Sequence, residues 1–300
     1  MKSRQKVLVI VGPTASGKSA LAVELAKKFN GEVISADSRQ VYKGLDIGTG
    51  KVTKAEMQKI PHYLLDISSP KKTVTAHQFA EKAREAIAKI ASRGALPIVV
   101  GGTGFYIDAL LGRISLPDVP PNKALRAKLQ KKTADQLYAM LKKKDPARAK
   151  AMDTPSERNN KVRLVRALEV AGSTFSSASE AGSSLDPLWI GINFPEKLLE
   201  MRIRARLASR IKQGMIAEAR RLHTEGLSYK RMEELGLEYR SLSRLLREKI
   251  SRKEFEEELS RDIRRYAKKQ AAYWKRNKDI NWFDPLQDAL MSSAVAKWLQ

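Results

Sequence analysis

Eight consecutive residues, Gly12-Pro13-Thr14-Ala15-Ser16-Gly17-Lys18-Ser19, fit the pattern G-x-x-x-x-G-K-[ST]. In such a loop successive backbone N–H groups and the first turn of a helix point at phosphate oxygens, while the lysine neutralises their charge. Lys18 takes that part here, and the Ser19 hydroxyl is suited to hold magnesium. The loop calls for a ligand with two or three phosphates and does not say what they carry, so kinase, NTPase and transferase chemistry all stay open. Asp37 and Thr103 each follow a short apolar run. Asp37 would accept a proton or hold magnesium through a water, and its place at a strand end favours the first. Thr103, within Gly101-Gly102-Thr103-Gly104, offers a hydroxyl to a bridging phosphate oxygen or to an acceptor, or else stabilises its turn. Arg202 and Arg206, spaced i, i+4, turn two guanidinium groups to one helical face. His62, His77 and His223 lack ligand spacing, and without cysteine there is neither a thiolate zinc site nor a disulfide framework.

These groups need elements to hold them. Val7–Val11 is an aliphatic, β-branched run that reads as a buried parallel strand, and a helix from Lys18 to Phe29 is expected behind the loop. Further strands are expected at Val33–Ala36, Tyr63–Ile67, Pro97–Val100 and Leu188–Phe194. Thr75 with Gln78 is a capping box for a helix that Gly94 ends. Pro195 suits the first turn of a helix reaching His223, and Ser251 with Glu254 opens a long helix to Lys278. In the latter, Tyr266, Tyr273 and Trp274 stand at helical spacing and read as core.

Strands alternating with helices imply an α/β fold: a P-loop NTPase-like parallel sheet with helices on both faces, binding ligands at the carboxyl ends of its strands. From Pro117 to Ala171 the pattern changes to basic helices without strand signal, an α-helical insertion, and the small residues of Gly172–Ser184 link it back. The expected division is 1–116 and 185–300 for the core, and 117–184 for insertion and link.

The chain carries 57 Lys and Arg against 33 Asp and Glu, a net charge of +24. The excess is densest over residues 122–170, where 14 basic and 5 acidic side chains leave +9. Such a surplus fits a polyanionic partner such as nucleic acid better than a merely solubilising surface. No apolar run approaches the ~20 residues that span a bilayer, and Val7–Val11 is too short for a signal-peptide core, so the cytoplasm is the expected location.

Several segments are familiar together. Asp37-Ser38-Arg39-Gln40-Val41-Tyr42-Lys43-Gly44-Leu45-Asp46-Ile47-Gly48-Thr49 resembles the signature of tRNA dimethylallyltransferases, also called isopentenyltransferases, and the phosphate-loop spelling is similar to theirs. Pro61 to Ile67, Gly101 to Tyr106, Arg166-Ala167-Leu168-Glu169-Val170 and the basic, aromatic Arg264–Trp274 segment follow in family order, so the resemblance covers nearly the whole chain. It implies transfer of a dimethylallyl group from dimethylallyl diphosphate to the N6 amine of the adenosine 3′ to the anticodon of tRNA, with Mg2+ as cofactor. It further implies that Asp37 and Thr103 are catalytic, and that residues Gly12 to Ser19 with Arg206 bind the diphosphate, Ser19 also holding the metal. Contact with the tRNA anticodon stem-loop falls to Asp37, Ser38, Arg39, Gln40, Thr103, Arg126, Val162, Arg163, Leu164, Val165, Arg166, Tyr239 and Arg240. The chain departs from the family where Asn160-Lys161-Val162-Arg163 replaces an Asp-Pro-Gln-Arg sequence, and where Glu238 replaces a glycine before Tyr239-Arg240. Both departures bear on RNA contacts more than on the chemistry. One complete site per chain predicts a monomer with no obligate protein partner. The rivals are a small-molecule or nucleotide kinase, which transfers phosphate without RNA, and an RNA-binding switch that hydrolyses ATP.

Overall fold

The structure, a computed structural model, describes residues 4–114, 116–117, 119–172 and 184–300. Most of the expected link over 172–184 falls outside them. The described chain divides into two compact units, Met1–Arg113 with Gly182–Gln300, and Ile114–Ala181.

Six strands build the sheet of the larger unit: β1 Gln5–Val11, β2 Gly31–Ser35, β3 His62–Tyr63, β4 Leu96–Val100, β5 Leu185–Ile192 and β6 Asn281–Phe283. Their order is β3-β2-β4-β1-β5-β6, and every pair is parallel. Parallel neighbours require crossovers, and the helices that make them cover both faces of the sheet. β1 displays this directly: Val7, Val9 and Val11 enter one hydrophobic core, while Leu8 and Ile10 enter the core on the opposite face. Leu21 and Leu25 of the helix Lys18–Lys28 pack into the second core, with Phe29 beside it.

Capping is read correctly from the chain. Thr75 Oγ1 accepts the Gln78 N–H while the Gln78 side chain accepts the Thr75 N–H, opening the helix Ala76–Ala91, and Ser251 with Glu254 opens Arg252–Lys275 in the same way. Three expectations fail. The third strand stops at Tyr63 rather than Ile67, because Leu64 and Asp66 take left-handed φ values of 64° and 55° that turn the chain out of the sheet. The helix expected to run to His223 is two, Glu196–Lys212 and Met215–Thr224, broken at Gly214, whose φ of 104° no continuing helix accepts. Pro195 is the residue before that first helix rather than part of its first turn.

Among its described residues the smaller unit has helices and no strand. Its own core gathers Leu129, Leu137, Tyr138, Leu141, Ala149, Leu164, Val165 and Leu168. Of the residues expected to meet RNA on the helix Lys161–Val170, Leu164 and Val165 turn their side chains into that core at 0% and 7% exposure, whereas Val162 stands out at 80%. Arg126 and Arg166 both converge on Glu169, whose carboxylate is buried: Arg126 grips it with two bonds of 2.7 and 2.8 Å, and Arg166 approaches to 3.4 Å. Arg163 pairs with Glu157 and is otherwise exposed.

Candidate active site at the carboxyl edge of the sheet

β1 ends at Val11 and the phosphate loop runs from Gly12 into the helix that begins at Lys18. The N–H groups of that first turn have no intrahelical acceptor, so they face the loop's concavity as donors. Lys18 Nζ donates to the Pro13 carbonyl at 2.6 Å across the loop. Burial pulls its pKa down to about 7; the Asp37 carboxylate works against that fall, and the Arg206 guanidinium adds to it. Lys18, Asp37 and Arg206 are thus electrostatically one group, although the chain separates them widely. They line a single cavity of about 810 Å3 together with Ser19, Arg202 and Tyr266.

Asp37 lies two residues beyond the end of β2. Its Oδ1 accepts the N–H groups of Arg39 (2.8 Å) and Gln40 (3.4 Å), which fixes the carboxylate, and among the described residues no protein donor reaches Oδ2. The turn after β4 comes up beside it. Thr103 donates its N–H to the Ala36 carbonyl at 3.2 Å, and its hydroxyl oxygen accepts the Ser38 N–H at 3.0 Å. Ser38, Arg39 and Gln40 line the same cavity, as does exposed Arg240.

Arg206 and Arg202 enter from the helix Glu196–Lys212. Arg206 Nη2 donates to the Gly50 carbonyl at 2.9 Å, and a Cβ on Gly50 would stand 2.5 Å from that nitrogen. Burial lowers the Arg206 pKa, with Arg210 adding to the effect and Glu238, Glu56 and Asp37 opposing it. A guanidinium lining the cavity beside Lys18 is suited to an anion.

Several working residues carry no signal in the sequence. Glu218, buried on Met215–Thr224, accepts the N–H groups of Asp46 (3.0 Å), Ile47 (2.8 Å) and Gly48 (2.8 Å) and the Tyr239 hydroxyl (2.7 Å). Arg210 donates to the carbonyls of Ile47 and Gly48 and pairs with Glu238 at 3.2 Å. The loop from Asp46 to Gly50 is therefore held from both sides. Gln270, buried on Arg252–Lys275, accepts the Thr14 N–H at 2.8 Å and donates to the Gly102 carbonyl at 3.0 Å. Arg210 alone had a trace in the spacing, as the next i+4 step after Arg202 and Arg206.

Tyr239, expected at the RNA, is 1% exposed and spends its hydroxyl on Glu218, and burial next to that carboxylate raises its pKa far above the usual tyrosine range. Of the three late aromatics, Trp274 is core and Tyr273 packs beside it with its hydroxyl on Asp108, but Tyr266 lines the cavity. Burial, then Asp37, pushes the Tyr266 hydroxyl up to about 12, against the pull of Arg39 and a hydrogen bond with Thr103.

The family model described as IPP transferase matches residues 40–278. The chain is 41% identical over 295 residues to tRNA dimethylallyltransferase 2 of Citrifermentans bemidjiense, covering 95% of this chain and 94% of that one. The chain belongs to the tRNA dimethylallyltransferase family. Similarity extends to tRNA dimethylallyltransferase of Anoxybacillus flavithermus, 37% identical over 298 residues with 97% and 94% covered. Among solved structures, the full-length tRNA isopentenylpyrophosphate transferase of Bacillus halodurans superposes with a TM-score of 0.75 at 34% identity, covering 99% of this chain and 97% of that one. A eukaryotic dimethylallyltransferase acting on tRNA gives a TM-score of 0.81 at 26% identity, covering 98% of this chain and 77% of that one. The tRNA dimethylallyltransferase family thus shares this fold over essentially the whole chain, including the parallel sheet whose carboxyl edge carries the cavity.

Proposed function

We propose that this protein transfers the dimethylallyl group of dimethylallyl diphosphate to the N6 amine of the adenosine 3′-adjacent to the anticodon in tRNA, releasing diphosphate. The observation that carries the reading is one cavity lined by a phosphate loop, two arginines and a fixed strand-end carboxylate, in a chain of this family. In the reaction the bond between the prenyl C1 and the bridging oxygen breaks, a bond from N6 to C1 forms, and N6 loses a proton. Negative charge grows on the leaving diphosphate, so loop amides, Lys18 and Arg206 stabilise the transition state more than the ground state. The adenine amine is a poor nucleophile because its lone pair is delocalised into the ring; Asp37 Oδ2 orients it and accepts its proton. Thr103 holds the Ser38 backbone on the acceptor side.

Mg2+ keeps several waters and shares substrate phosphate oxygens, so it needs few protein ligands, and the Ser19 hydroxyl at the start of the first helix would be one. Bound there, it would neutralise charge on the diphosphate.

A stacked base does not reach such a cavity, so the adenosine is flipped out of the anticodon loop, with Ser38, Arg39, Gln40 and Arg240 on the acceptor side. The helical insertion, residues 117–171 with its +9 over 122–170, takes the phosphates of the anticodon arm through exposed basic groups such as Arg163. No helix among the described residues is long and apolar enough to cross a membrane. A tRNA substrate fits a cytoplasmic protein, and a cavity furnished by one chain fits a monomer.

Incubation of the purified protein with dimethylallyl diphosphate, Mg2+ and tRNA, followed by nucleoside mass analysis, tests the reading. A prenyl increment on adenosine is expected. A phosphorylated product with ATP and no prenylated nucleoside would establish the kinase instead.

A further inference from the structure

We propose that Gln270 is a positioning residue that locks the phosphate loop to the turn after β4, so that the donor and acceptor halves of the cavity keep one register. The proposal rests on the prenyl-transfer reading above and adds to it a residue that touches neither substrate's reacting atoms. Alignment of β1 with β4 is set by the sheet ladder up to the bond from the Gly101 N–H to the Ile10 carbonyl, 3.3 Å. Beyond that point the two loops leave the sheet. Gln270 continues the ladder with a side chain: its Oε1 takes the Thr14 N–H at 2.8 Å and its Nε2 gives to the Gly102 carbonyl at 3.0 Å.

The chemistry of the link is specific. A carboxamide offers an acceptor and a donor at one reach; glutamate keeps only the acceptor, and methionine keeps neither. Gln270 is 6% exposed at the wall of the cavity, so losing either bond leaves a largely buried polar group unpaired. Gly102 is glycine because a Cβ there would collide with Gln270 Nε2. From Gly102 the contacts pass to Thr103, which holds the Ser38 N–H at 3.0 Å, and Ser38 adjoins Asp37. One continuous series of fixed contacts thus joins the amides that grip a diphosphate to the carboxylate that orients the amine. Displacement at carbon needs the entering nitrogen, the carbon and the leaving oxygen in line, and an error of about 1 Å costs on the order of a hundredfold in rate.

The test compares Gln270→Ala, Gln270→Glu and Gln270→Met with the parent. Under single-turnover conditions with saturating donor and tRNA, transfer is expected to fall about a hundredfold in all three. Affinities for inorganic pyrophosphate and for tRNA, measured separately, are expected to stay within about threefold, since each half-site remains intact. Hydrogen exchange supplies a readout independent of transfer. Pyrophosphate with Mg2+ should slow exchange in the phosphate loop and in the Gly101–Thr103 segment of the parent, but in the loop alone in the variants. Methionine fills nearly the same volume, so Gln270→Met keeps the comparison readable where alanine loosens the fold. Transfer at the parental rate, or protection that still passes to Gly101–Thr103, overturns the proposal. A parent that transfers no prenyl group while showing the exchange pattern overturns the functional reading and leaves the lock standing.

Discussion

At the scale of single residues, Lys18 sets how the site responds to pH. With its pKa down to about 7, the free protein gives up this proton over a range where an ordinary lysine keeps it. A bound diphosphate supplies the missing counter-charge and draws the pKa back up, so binding takes up a proton above neutrality and none where Lys18 is already charged. Titration calorimetry of pyrophosphate in buffers of different ionisation enthalpy should therefore show, relative to Lys18→Met, an uptake of about one proton near pH 8.5 that vanishes below about pH 6. Asp37 makes a separate demand. Asp37→Asn keeps the turn bonds from Arg39 and Gln40 but removes the base, so single-turnover transfer should drop by roughly 10²–10⁴-fold while pyrophosphate affinity changes little; a parental rate would dismiss the proton-accepting role. The phosphate loop and Asp37, which meet at one cavity, carry local signals in the sequence, a glycine pattern and a polar residue just past an apolar run. The burial of the Leu164, Val165 and Tyr239 side chains was not legible, because position inside a motif says nothing of which helical face is covered, and that is decided by neighbours from elsewhere in the chain.

At the scale of elements, the site depends on a loop that is not itself regular structure. The segment Asp46–Gly50 keeps its shape because Glu218 collects three consecutive amides and a phenol, while Arg210 and Arg206 hold its carbonyls. Glu218→Ala strands all four donors and should cost about 3 kcal/mol or more in denaturant unfolding, whereas Tyr239→Phe, which removes one of them, should cost only about 1 kcal/mol. A similar loss from both changes would contradict a shared carboxylate anchor. Element type was largely readable from apolar periodicity and capping boxes; the breaks were not. Leu64 carries no turn signature, Asp66 tolerates a left-handed φ but stands inside an apolar run, and Gly214 sits among helix-forming neighbours that mask it. Glu218 and Gln270 were invisible for a different reason, their partners lying 170 and 256 residues away.

At the scale of the whole molecule, the charge excess is the property that meets a large partner. If exposed lysines of the insertion neutralise tRNA phosphates, replacing Lys142 and Lys143 by glutamine should flatten the plot of log affinity against log salt by up to about 2 units of slope, and pyrophosphate affinity should not move. An unchanged slope would remove those lysines from the interface. Composition announced the polyanion; it did not say which cations remain uncommitted, because a pair such as Arg126 with Glu169 uses charge for cohesion. The sheet order has a consequence for synthesis on the ribosome. β1 emerges well before the insertion, yet one of its two neighbours, β5, pairs with it along all seven residues from Gln5 to Val11 and is translated only after the insertion. Until Ile192 has left the exit tunnel, the phosphate-loop strand presents a bare hydrophobic edge, so a nascent or truncated amino-terminal half must be shielded by chaperones or aggregate.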